Sequence, residues 1–185
     1  MKKVIALATL LAATSAFAGG FGSVEYSSRD GVNGTADSDA VKVTVGTTLT
    51  DNVAVDLSSR FAKQDGVSTN NSTRLEAGVT GSMPLGNGVT LYTRGAVGEK
   101  YTSSDNFSYY SVEPGIKYQL TPALSAKVGY RYRDAFTNSN GDQTRTWRLG
   151  TEYALSKQYS VGLGFDRVRG DSEYNAVNVS LGIKF

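Results

Sequence analysis

"NAVNVSLGIKF", residues 175–185, decides how the rest of the chain is read. Val177, Val179, Leu181, Ile183 and Phe185 are apolar, and Asn178, Ser180, Gly182 and Lys184 stand between them. Strict alternation of this kind is the pattern of a β-strand with one oily and one wet face. Terminal residues usually fray, so an apolar strand carried to a final phenylalanine needs a surface to press against.

The same alternation recurs upstream. It predicts ten strands, near 21–29, 40–49, 53–63, 73–83, 89–99, 108–120, 123–133, 144–154, 159–166 and 174–185. Val41, Val43 and Val45 face one way, and Lys42, Thr44 and Gly46 the other. Leu75, Ala77 and Val79 oppose Arg74, Glu76 and Gly78; Trp147, Leu149 and Tyr153 oppose Arg148, Gly150 and Glu152. Short connections at 50–52, 84–88, 121–122 and 156–158 alternate with longer polar ones such as "DGVNGTADSD" (30–39) and "DAFTNSNGDQ" (134–143). This is hairpin after hairpin, with short turns at one rim and long loops at the other.

The other end of the chain sets the compartment. Met1-Lys2-Lys3 is followed by an apolar and small run over Val4 to Ala13, broken only by Thr9, and then by the small-x-small site Ala16-Phe17-Ala18. That is the layout of a secretory signal peptide, and the run is too short to span a bilayer as a helix. The expected organisation is a signal peptide at 1–18 and one β-barrel domain at 19–185. The chain has no cysteine, which excludes a disulfide scaffold, and its 19 Lys and Arg nearly balance 17 Asp and Glu, so nothing in its charge calls for nucleic acid.

The wet face decides between a soluble and a membrane barrel. It carries Arg60, Arg74, Glu76, Arg94 and Glu113, then Arg131, Arg133, Arg148, Glu152 and Asp166. On the apolar face the large aromatics fall near strand ends: Tyr118, Tyr153, Tyr159 and Phe185 by the short turns, Trp147 and Phe165 toward the loops. Two aromatic belts flanking a thin apolar band belong to a protein whose outside is lipid. The charged set then lines the lumen. The expected fold is all-β, a closed antiparallel up-and-down transmembrane β-barrel of about ten strands, with eight as the alternative. Pro114 interrupts the sixth strand, and a bulge or kink is expected at Glu113-Pro114-Gly115.

With these features the chain resembles the small, porin-like outer-membrane β-barrel proteins of diderm bacteria. The resemblance implies outer-membrane lipid as the solvent and the barrel assembly machinery as a partner during biogenesis. It also implies that Val179, Leu181, Ile183 and Phe185 form the signal which that machinery reads. No histidine is present, so the histidine-based chemistries of barrel enzymes are not available, and neither an enzyme nor a cofactor nor a metal site is expected. Arginines concentrate toward the loop end, where they would draw anions into a narrow passage. The function expected is a porin-like passive channel for small, preferably anionic solutes; the alternative is a non-conducting structural or surface-interaction barrel, plugged by Arg–Glu pairs. The sequence leaves the oligomeric state open.

Overall fold

A computed structural model describes residues 19–32, 36–64, 71–103, 105–137 and 143–185. The expected signal peptide at 1–18, and the middles of the loops at 30–39, 63–72 and 134–143, lie outside the described residues. Ten strands follow in order: β1 (Gly20–Gly31), β2 (Ser38–Thr50), β3 (Val53–Gln64), β4 (Asn71–Gly86), β5 (Val89–Tyr101), β6 (Asn106–Gln119), β7 (Leu124–Ala135), β8 (Thr144–Ala154), β9 (Tyr159–Gly170) and β10 (Tyr174–Lys184). Each pairs with its neighbours in sequence, and β10 pairs with β1 from Lys184 opposite Phe21 to Tyr174 opposite Gly31, so the sheet closes. The expected closed ten-strand barrel is the observed one. Closure satisfies the backbone groups of both terminal strands without a free edge.

Several strands run further toward the long-loop rim than the apolar pattern indicates. β9 continues to Gly170, because Arg167, Val168 and Arg169 still pair with Trp147, Thr146 and Arg145. The apolar pattern stops where the apolar band stops, whereas the hydrogen-bond ladder continues beyond it. The expected bulge at Pro114 is absent. The β6–β7 register is the same on both sides, with Val112 opposite Tyr132 and Gly115 opposite Gly129, and only the pairings of Glu113 and Pro114 are missing. Pro114 has no N–H to offer β7, so the ladder skips these positions and resumes in register. Irregularities occur at the short turns instead, at Thr48/Thr50 and Pro84/Gly86. The latter leads into Gly86-Asn87-Gly88, whose φ angles of 89°, 52° and 78° demand residues that tolerate the left-handed region.

The burial pattern is inverted relative to a water-soluble domain. Leu181 and Leu163 are 63% and 62% exposed, while Glu113 and Arg133 are 6% and 3% exposed. Tyr118, Trp147, Tyr153, Tyr159 and Phe165 all stand on the outer surface, where Trp147 meets Tyr130 edge-on at 5.0 Å between centroids. An outside this apolar and an inside this charged suit a lipid surround.

Candidate functional site: the charged lumen

Alternation places every second residue of each strand inside the barrel, and the lumen is assembled from these. Five of its acids, Glu25, Asp56, Glu76, Glu113 and Asp166, are gathered into three groups. In the first, Arg94 on β5 donates from Nε and Nη2 to Asp56 on β3 (2.9 and 2.6 Å) and from Nη1 to Glu76 on β4 (2.7 Å). Glu76 also accepts from the Tyr109 hydroxyl at 3.1 Å. In the second, Arg148 on β8 donates to Glu113 on β6 (2.9 Å) and Asp166 on β9 (3.3 Å), and Tyr92 donates to Glu113 at 3.3 Å. In the third, Arg60 on β3 reaches across β2 to Glu25 on β1 at 2.8 Å and to Ser27 at 3.2 Å. Glu152 makes no ion pair among the described residues; it lines the lumen nearer the short turns.

Aromatic rings stand inside as well, among them Phe21, Tyr92, Tyr109 and Tyr174. They share the wet face with the charges, and reading aromatics as belt residues overlooks them. A usable signal lies across the strands. Tyr92 is directly opposite Gly115, Tyr109 opposite Gly98, and Phe21 opposite Gly46. A Cβ at any of these glycines would collide with the ring it faces. Each glycine thus lets a ring lie flat on the inner wall. Gly78 serves Arg94 in the same way, leaving the space that the guanidinium fills between Asp56 and Glu76.

Toward the long loops bases dominate. Lys42, Arg60, Arg74 and Lys100 are successive cross-strand neighbours from β2 to β5, and only Glu25 at one end of this row is acidic. Like charges directly opposite each other are destabilising. Arg29 lies over the Tyr174 ring at 5.0 Å and Arg133 over the Tyr109 ring at 5.4 Å. The Nε atoms of Arg29, Arg60 and Arg74 are buried without a hydrogen-bond partner among the described residues.

Two spaces follow from this layering. A cavity of about 900 Å³ reaches the short-turn rim at Asp51, Asn52, Gly86 and Gly88, and ends at Arg94, Glu113, Arg148 and Asp166. A second space, of about 20 Å³, adjoins the first at Lys42 and Arg148 and is lined also by Ser58, Arg60, Arg74, Glu76, Tyr109, Arg131 and Arg133. That volume holds about one water molecule. Six bases surround it against one carboxylate.

Solved structures with the same fold include the NanC porin (TM-score 0.62, 8% identity, 89% of this chain and 100% of that one). An outer membrane channel from Pseudomonas putida F1 is also similar (TM-score 0.58, 10% identity, 91% and 96%). Neisserial surface protein A aligns with a TM-score of 0.50 at 12% identity, over 91% and 98%. At these identities the likeness is one of fold. No curated protein matches the chain in sequence. Residues 4–150 match the model of the outer membrane protein beta-barrel domain. The chain belongs to that family, and it is an integral β-barrel of the outer membrane.

Proposed function

We propose that the barrel is a porin-like passive pathway for small anions, with the arginine-rich layer as its narrowest point. The observation that carries this reading is the basic layer itself, where six bases and one acid surround a space of only about 20 Å³ that adjoins a cavity of about 900 Å³. Such a ring attracts anions and repels cations, and so small a space admits little at a time. Conductance is therefore low and anion-selective. A second reading, a filled non-conducting barrel, is favoured by the pairing of Glu25, Asp56, Glu76, Glu113 and Asp166 with arginines across the lumen. No catalytic role is proposed for a chain without histidine or cysteine.

Planar-bilayer recording of the purified protein separates the two. The informative variant is R74S/R131S, which widens the constriction and leaves the five Arg–carboxylate contacts in place. It should raise single-channel conductance and move the reversal potential under a salt gradient toward lower anion preference. Silence from both wild type and variant would sink the pore reading in favour of the filled barrel. Orientation is tested separately. Short turns face the periplasm in outer-membrane barrels, so an impermeant thiol reagent on intact cells should label T137C and not K157C. The opposite labelling would invert the model.

A further inference from the structure

Outward-facing charge at the long-loop rim is segregated around the barrel. Arg145 on β8 is directly opposite Arg169 on β9, and Arg167 is directly opposite Trp147, so three arginines share one outer patch. Elsewhere on the outer face of this rim the strands carry Asp30, Asp39, Glu99 and Asp134, with Lys63 as the sole base among the described residues. Three of those acids have partners of their own. Tyr26 donates to Asp39, Tyr101 to Glu99, and Tyr132 to Asp134. By contrast Arg145, Arg167 and Arg169 make no ion pair with a carboxylate among the described residues; the Arg169 guanidinium donates there to the Val168 carbonyl, at 2.7 Å. A cross-strand pair of like charges is unfavourable unless something anionic covers it.

The height of the patch says what covers it. Arg145 and Arg167 each lie two residues beyond a loop-side aromatic, Trp147 and Phe165. Measured from Tyr153 and Tyr159 at the opposite belt, they stand about 20 Å along the barrel axis, and Arg169 about 26 Å, using about 3.4 Å per residue and a tilt of about 40°. The apolar band of such a barrel is about 25 Å tall. Arg145 and Arg167 thus stand just inside the outer edge of that band, from where a long arginine side chain reaches up to the lipid headgroups, and Arg169 stands at the edge itself, above acyl chains that touch Leu149 and Leu163.

We propose that Arg145, Arg167 and Arg169 form a binding site for the phosphate groups of an anionic lipid in the leaflet that meets the long-loop rim. Guanidinium groups bind phosphate oxygens in a bidentate fork, and the apolar surface just below receives the lipid's chains. The site rests on the membrane location and not on conduction through the lumen.

The test uses the full protein in detergent, with the bisphosphorylated glycolipid lipid A as probe. Wild type should bind it and gain resistance to heat denaturation in proportion. R145S/R167S/R169S should bind about a hundredfold more weakly, from about a fivefold loss for each arginine. The triple lysine variant should keep most of the binding, and K63S, which removes a base from the other side of the rim, should keep all of it. Inorganic phosphate at the same phosphate concentration should give no protection. Undiminished lipid binding by the triple serine variant overturns the site. Equal protection by inorganic phosphate makes it a site for free anions. Loss of an oligomer in lipid-free detergent on the triple change makes it a contact between copies of the chain, and the lipid proposal is then wrong.

Discussion

A barrel carrying Phe185→Ala is expected to refold in detergent with nearly wild-type stability, yet to reach the outer membrane at a small fraction of the wild-type yield. The two halves of this expectation come from different physics. In the folded barrel Phe185 donates its N–H to the Gly20 carbonyl at 2.8 Å, a bond the alanine keeps, and its ring is 40% exposed at the lipid-facing surface. Removing a half-exposed ring costs about 1 to 2 kcal/mol of apolar contact. A loss of that size barely moves a thermal gel shift. If Val179, Leu181, Ile183 and Phe185 are the assembly signal, the change instead removes the feature by which an unfolded chain is selected for insertion. Precursor should then accumulate in the periplasm while the purified variant refolds unaided. Normal membrane yield would end the tag reading. Failure to refold in detergent would mean that Phe185 acts through stability alone.

The strands and their facing were legible because lipid outside and water inside impose one rule on every strand, and the rule has period two. Leu75, Arg74 and Glu76 announce their sides by chemistry alone. Aromatic residues do not. Tyr118 and Tyr92 look alike in composition, yet one faces lipid and the other lies on Gly115 inside the barrel. Only parity with Arg94, two residues on, and the glycine across the strand distinguish Tyr92. The ion pairs were less legible still. Arg60 reaches Glu25 and Arg94 reaches Asp56 over an intervening strand, and Arg148 chooses Glu113 and Asp166 over Glu152 on its own strand. Such choices depend on stagger and on which wall glycine leaves room for a guanidinium. No local pattern records them.

Two arginines of the same lumen should therefore respond to serine with opposite signs. Arg94→Ser is expected to destabilise the barrel by about 3 to 5 kcal/mol, because it strands two buried carboxylates beside each other. The side chains of Asp56 and Glu76 are only 9% and 7% exposed, and after the change the Tyr109 hydroxyl is the hydrogen-bond donor left to Glu76 among the described residues. Thermal unfolding of the purified protein should show the drop. R94S/D56N/E76Q should recover much of it, since the stranded charges are then gone. Arg94→Lys should fall between, because an ammonium cannot serve Asp56 with two parallel bonds and Glu76 with a third. Arg74→Ser is the counterpart. Arg74 stands directly opposite Arg60 on one side and Lys100 on the other, and its removal relieves repulsion within that row. Its serine variant should unfold at the wild-type temperature or above it. A stability loss for Arg74→Ser as large as that for Arg94→Ser would show that the two arginines do the same structural work, and would leave the basic row without a cost that function explains. If the signs differ, Arg94 holds the wall together while Arg74 stands in the lumen against the interest of stability, which is where a residue that attracts anions would be found.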